Sequence, residues 1–242
     1  MKLFTLALMA TTVLAVSAQA QTWEDNISGT MAFTSDYTFR GISQSDEAFA
    51  VQGSIDYAAD SGIYASVWAS SVDFNQTAVE DANAEVDFVL GYTGALTETA
   101  GYDVGAIYYY YPGAAESLNY DYWEVYAGAN QEIAGINFDA SVNFSPEYFG
   151  ESGDAIYTQA GFEKGLNLNG AGDITIAGHI GYQMIDDNAT FGNEDYTDWS
   201  LSISKNIAGF DVTAAYVDTD LSKADLSDGA EARGVLTVSK LF

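Results

Sequence analysis

The stretch Ile136-Asn137-Phe138-Asp139-Ala140-Ser141-Val142-Asn143-Phe144 decides the fold. Its apolar residues fall on every second position, the two-residue period of a β-strand with unlike faces rather than the 3.6 of a helix. The same alternation sets Ile27, Gly29, Met31 and Phe33 against Ser28, Thr30, Ala32 and Thr34, and runs on to Tyr37 and Phe39 against Asp36, Thr38 and Arg40. It returns at Phe49 to Tyr57, Val86 to Tyr92, Ile174 to Tyr182 and Phe210 to Tyr216. Weaker runs at 63–74, 102–111, 120–132, 154–164, 196–206 and 232–242 bring the expected number of strands to twelve. No helical period competes.

The links between these runs alternate in length. Short ones at 59–62, 134–135 and 206–209 separate longer polar ones near 41–48, 75–83, 112–119, 147–153, 186–195 and 220–230, the arrangement of an outer-membrane barrel. Two links, 95–101 and 165–172, are longer than that rule favours. Several runs approach the roughly 9 to 11 residues a tilted spanning strand needs, whereas soluble strands cluster near 5 or 6. Hydrocarbon leaves no partner for a free N–H or C=O, so a sheet survives there only when it closes on itself. The expected fold is all-β, a transmembrane antiparallel up-and-down barrel of about twelve strands over residues 21–242, with both ends on the short-turn, periplasmic side. Aromatics toward the strand ends, Tyr37, Phe39, Tyr57, Tyr92, Tyr108 and Tyr182 among them, are expected to form interface girdles.

Residues 1–20 read as a cleaved signal peptide: Lys2, an apolar run from Leu3 to Val16, then Ser17-Ala18-Gln19-Ala20. The expected location is the bacterial outer membrane, reached through the periplasm. The last residues, Val235 to Phe242, alternate and end on Phe242, which resembles the signal that hands such proteins to the barrel-insertion machinery. Lys240 stands where an aromatic is more usual, and a lysine near a strand end can snorkel to the interface.

Thirty-five acids against seven Lys and Arg give the 242-residue chain a net charge of -28, which excludes nucleic acid as a partner. The absence of cysteine removes disulfides, thiolate metal sites and a Cys nucleophile. With a single histidine, His179, inside a strand, the sequence predicts a hydrogen-bonded wall residue, no enzyme and no cofactor. Asp218-Thr219-Asp220 opens like a calcium loop, but Lys223 stands where glycine is required, so no metal site is expected. Acids at 186–187, 194–195 and 225–231 suit loose bridging by divalent ions to lipopolysaccharide.

Twelve strands about 4.8 Å apart and tilted about 40° enclose a backbone radius of roughly 12 Å. Parity assigns Asp36, Arg40, Asp56, Glu85, Asp87, Asp103, Tyr109, Tyr111, Glu124, Asp139, Asp173, His179 and Asp211 to the lumen. Carboxylates in a low-dielectric wall concentrate cations, so the expected function is passive diffusion of small hydrophilic solutes with a preference for cations. The alternative is a non-conducting structural or adhesive barrel whose acidic loops contact lipopolysaccharide or partners. Arg40 reads either as a cation at the outer mouth facing Asp36 and Asp56, or as a fork that pins the first hairpin to neighbouring carboxylates. Tyr109, Tyr111, Tyr120, Tyr122 and Tyr126 form a tyrosine series for which girdle packing is the expected role.

Residues 35–74, SDYTFRGISQSDEAFAVQGSIDYAADSGIYASVWASSVDF, resemble the opening signature of the TorF or Gcw_chp family of bacterial outer-membrane porins. Glu85-Val86-Asp87, then YYYYPG at Tyr108 to Gly113, then NYDYWEVY at Asn119 to Tyr126, are similar to its middle motifs in the same order. The resemblance implies a single-domain outer-membrane barrel of porin type. It brings no catalytic residue and no defined substrate.

Overall fold

A computed structural model describes residues 26–74, 82–168, 172–221 and 229–242. The segment read as a signal peptide lies outside them. In chain order the strands are β1 (Ile27–Thr34), β2 (Thr38–Phe39), β3 (Ile42–Ser43), β4 (Ala50–Ala58), β5 (Ile63–Ser71), β6 (Ala84–Ala95), β7 (Ala100–Tyr110), β8 (Tyr122–Ile133), β9 (Ile136–Ser145), β10 (Ala155–Leu168), β11 (Gly172–Ile185), β12 (Tyr196–Ile207), β13 (Phe210–Thr219) and β14 (Arg233–Leu241). All but β2 and β3 belong to one closed antiparallel barrel of twelve strands, each paired with its neighbours in sequence. The seam joins β1 to β14, from Thr30 opposite Leu241 to Thr34 opposite Thr237. Closure gives every barrel strand two partners and leaves the barrel no edge.

Alternation decides what each face carries. Met31, Phe33, Ile55, Leu90, Leu201 and Leu236 are at least half exposed on the outside, the reverse of a soluble sandwich. Tyr57, Tyr92, Tyr108, Tyr110, Trp123, Tyr182 and Tyr216 lie toward the ends of their strands on that same outer face. Short and long links alternate throughout. The links expected to be long shrink to 96–99 and 169–171, because β6 and β7 reach Ala95 and Ala100 while β10 and β11 reach Leu168 and Gly172.

The first strand departs from its expected course. β1 stops at Thr34, and Tyr37 and Phe39, expected in a girdle, are buried inside the barrel. There β2 and β3 form a hairpin, Phe39 opposite Ile42, turned by Arg40 and Gly41 with φ of 48° and 81°. Two left-handed residues in a two-residue link make the type I′ turn that fits the strand twist. In the longer loops sit a 3-10 turn at Glu116–Leu118 and one turn of helix, α1 (Asn188–Phe191), capped by the Asp187 side chain.

The two sides of the lumen are filled differently. On the side of β5 to β8, Tyr37 packs edge-on to Trp68 with ring centres 5.3 Å apart, Phe39 packs edge-on to Tyr109, and Tyr109 stacks on Tyr122 at 4.3 Å. Phe74, Tyr111, Tyr120 and Phe149 continue this aromatic cluster. Opposite, toward the short-turn end of β11 to β14 and β1, many inward residues are small and only half-buried: Thr175, Ser200, Ser202, Ser204, Thr213, Ala215, Thr237, Ser239 and Thr30.

Candidate functional site

The hairpin carries Arg40 into the lumen, where it is 8% exposed. Its Nη2 donates to both Glu124 oxygens, at 2.9 and 2.7 Å, and its Nη1 to Gln183 Oε1 at 2.7 Å. The guanidinium lies 4.3 Å from the Tyr157 ring centre and 4.7 Å from that of Phe39. Glu124 also accepts from Asn143 Nδ2 at 3.0 Å and the Tyr109 hydroxyl at 3.3 Å. A buried ion pair repays its desolvation only when its remaining lone pairs are met in this way. At the hairpin's base, Asp36 accepts from Arg233 Nη1 at 3.0 Å and from the Ser43 and Ser45 hydroxyls at 2.6 and 3.0 Å. The tip abuts the far wall: a β-carbon at Gly41 would overlap the Thr219 methyl and lie 2.8 Å from Asp198 Cβ. Aromatic packing on β5 to β8 and this contact on β12 and β13 make the hairpin a bar across the lumen.

Beneath the tip is a cavity of about 50 Å³ lined by Thr38, Arg40, Gly41, Tyr157, His179, Ser200 and Val217. His179 stands opposite Ser200 across the β11–β12 ladder, and Asp198 is the next inward residue on β12. His179 Nδ1 lies 2.8 Å from Ser200 Oγ and Nε2 lies 2.6 Å from Asp198 Oδ1. Asp198, with no solvent exposure, also accepts from the Tyr157 hydroxyl at 2.9 Å.

The other acids assigned to the lumen are spread along it. Asp56 is bound by the Ser66 and Ser54 hydroxyls at 2.5 and 2.7 Å. Asp103 accepts from Tyr64 at 2.7 Å, and Tyr64 also contacts the Tyr126 hydroxyl. Glu85 and Asp87 are each 1% exposed, and Glu85 Oε2 and Asp87 Oδ1 have no hydrogen-bond partner. Asp139 is half-buried beside Gly161, where a β-carbon would lie 2.8 Å from its Oδ1. Asp173 and Asp211 sit near the short-turn end, held by Asn167 and Asn206. Tyr109 and Tyr111 lie within the aromatic cluster.

Residues 18–241 match the model of a family described as bacterial protein of unknown function (Gcw_chp). The chain belongs to the Gcw_chp family. No curated protein matches it in sequence. Among solved structures, the KdgM porin aligns with a TM-score of 0.58 at 9% identity, over 89% of this chain and 99% of its own. The NanC porin aligns at 0.56 and 10% identity, covering 89% and 98%. LpxR from Salmonella typhimurium aligns at 0.52 and 9%, covering 89% and 99%. At these identities the likeness is one of fold: the Gcw_chp chain has the barrel of outer-membrane porins.

The geometry of the Gcw_chp lumen separates the two readings of Arg40 and corrects one expectation for the tyrosines. Arg40 does not face Asp36 and Asp56 as a lone cation; it is the fork that pins the hairpin, here to Glu124 on β8 and Gln183 on β11, while Arg233 takes Asp36. Tyr109, Tyr111, Tyr120, Tyr122 and Tyr126 are all buried rather than in a girdle: Tyr109 has the inward parity assigned to it on β7, Tyr122 and Tyr126 share the inward parity of Glu124 on β8, and Tyr111 and Tyr120 join the aromatic cluster just beyond those strands. Tyr157, Gln183, Asp198 and Ser200 escape the sequence reading altogether. Outward Leu201 and Ile203 carried the signal for two of them, since the same parity turns Asp198 and Ser200 inward.

Proposed function

We propose that the protein is a porin-like channel of the bacterial outer membrane for small hydrophilic solutes, with a preference for cations. The observation that carries this reading is a closed twelve-stranded barrel whose inner wall bears Asp56, Asp103, Asp139, Asp173 and Asp211. The same alternation supports the membrane location, since it leaves a continuous apolar outer face. One KdgM porin structure is a complex with disordered oligogalacturonate, a polyanion. The acids of this inner wall argue for the opposite solute charge here, because a carboxylate wall repels anions. On this reading the barrel sits among outer-membrane lipid and lipopolysaccharide, and Phe242 addresses it to the insertion machinery.

Single-channel recording of purified protein in planar bilayers tests the proposal, with reversal potentials measured in a KCl gradient. The expected result is discrete conductance with a cation-selective reversal that weakens in Asp139→Asn. Folded protein that never conducts rejects the channel, and conductance with an anion-selective reversal rejects the cation preference. A second reading, a non-conducting structural or adhesive barrel, draws support from the hairpin that bars the lumen. Liposome swelling separates the two, because only a channel admits sugars.

A further inference from the structure

We propose that Ser200, His179 and Asp198 form an acyl-transfer site on the inner wall, acting on short-chain esters that enter the lumen. Three observations carry it. The first is the unbroken relay from Tyr157 through Asp198 and His179 to Ser200, each link within hydrogen-bond reach. The second is the tautomer that this relay imposes. Asp198, acceptor-only as a carboxylate, takes the Nε2–H of a neutral His179, so Nδ1 keeps a lone pair facing the Ser200 hydroxyl. That is the division of labour a serine nucleophile needs: a base within reach and a buried carboxylate that orients the base. Here Nδ1 is the base and Nε2 the oriented nitrogen, which follows from placing all three residues on adjacent inward positions of two paired strands.

The third observation is the cavity. Ser200 and His179 both line it, so an acyl group lodged there touches the nucleophile and the base together. Strand N–H groups are committed to the ladder and provide no oxyanion pair. Arg40 lines the same cavity, so its guanidinium borders the space an acyl group would occupy. A guanidinium is a suitable donor to the negative charge that develops on the carbonyl oxygen. A space of about 50 Å³ is well below the roughly 150 Å³ that holds benzene, which restricts the acyl group to about the size of acetyl.

The chemistry balances with water as the only co-reactant. Ser200 Oγ bonds to the ester carbonyl carbon while its proton passes to His179 Nδ1. The carbon–oxygen bond to the alcohol breaks, and the alcohol leaves with that proton. Water then adds to the acyl-serine, gives its proton to Nδ1, and the bond to Ser200 breaks to release the carboxylic acid and regenerate the hydroxyl. Ser200 and His179 are the catalytic residues, and Asp198 and Tyr157 are positioning residues.

Methanesulfonyl fluoride, small enough for the cavity, tests the site in the folded full-length barrel. The expected result is one sulfonyl group on Ser200 by peptide mass spectrometry, none in Ser200→Ala, and labelling slowed at least about 100-fold in His179→Gln, the scale of a lost general base. Should His179→Gln fail to fold, the parent's rate against pH replaces it. A base-activated serine labels faster as one group deprotonates and then levels off, while an unactivated one shows no such step. Unlabelled Ser200 in folded protein, an undiminished rate in His179→Gln, or a parent rate without that step overturns the proposal. Conductance is read separately, so the acyl-transfer site and the channel can fail independently.

Discussion

Arg40 gathers most of the lumen's electrostatics at one residue. Replacing it with Ala strands the Glu124 carboxylate in a dry environment, and breaking a buried pair in this way costs about 3–5 kcal/mol. Arg40→Ala is therefore expected to lower the urea midpoint of the lipid-reconstituted barrel, and Arg40→Met with Glu124→Leu to recover much of the loss. A double variant no more stable than the single one would contradict this account. Tyr148, which contacts the same guanidinium from the 146–154 loop, has its hydroxyl pushed up to about 12 by burial, with Arg40 pulling the other way. A tyrosine held neutral contributes its full stability below its ordinary value near 10 and loses it as the pH rises through about 12. In an alkaline titration followed at 295 nm, the late-ionising absorbance should drop by one tyrosine in Tyr148→Phe. Glu124 shares the inward parity of β8, whereas Asp36 and Arg40 lie past the end of β1, where Tyr37 and Phe39 of the opposite parity are buried as well, so parity neither explains their burial nor pairs them. Glu124 and Gln183 lie 84 and 143 positions from Arg40, and only the curl of the whole sheet brings them within reach.

At the scale of elements, all twelve barrel strands were legible because a two-residue period is a local property. The hairpin was not, because residues 35–43 keep that period while leaving the sheet. Its one signal was Gly41, the usual second residue of a type I′ turn, and that signal was weakened by an arginine where Asn, Asp or Gly is preferred and hidden by Tyr37 and Phe39 continuing the outward parity of β1. Gly41 is the element's weak point. Its φ of 81° costs an L-residue about 1–2 kcal/mol, and a methyl there collides with Thr219 and crowds Asp198. Gly41→Ala should push the tip off the β12–β13 wall. The expected readout is a higher single-channel conductance together with a lower melting temperature. A variant that melts earlier yet conducts like the parent would show that the hairpin braces the barrel without limiting flow.

For the whole molecule, everything depends on which side of the wall meets lipid. The closed ladder makes this a question with a periodic answer, because moving one residue along a strand crosses the wall. On β12, Leu201 and Ile203 are exposed on the outer face, while Ser200, Ser202 and Ser204 turn inward and are half-buried. Single cysteines placed from 201 to 204 in this cysteine-free chain allow a nitroxide at each position without background labelling. In reconstituted bilayers, labels at 201 and 203 should be relaxed by oxygen, which partitions into acyl chains, and labels at 202 and 204 by a water-soluble nickel chelate. The contrast should be larger at 202 than it would be beside Tyr37 and Tyr109, where aromatic packing excludes water as well as lipid. Two further residues on the opposite wall, Leu90 outward and Val89 in the packed cluster, supply that comparison. If accessibility shows no two-residue period on β12, or has the opposite phase, the apolar face points to the interior and the barrel is not a membrane wall.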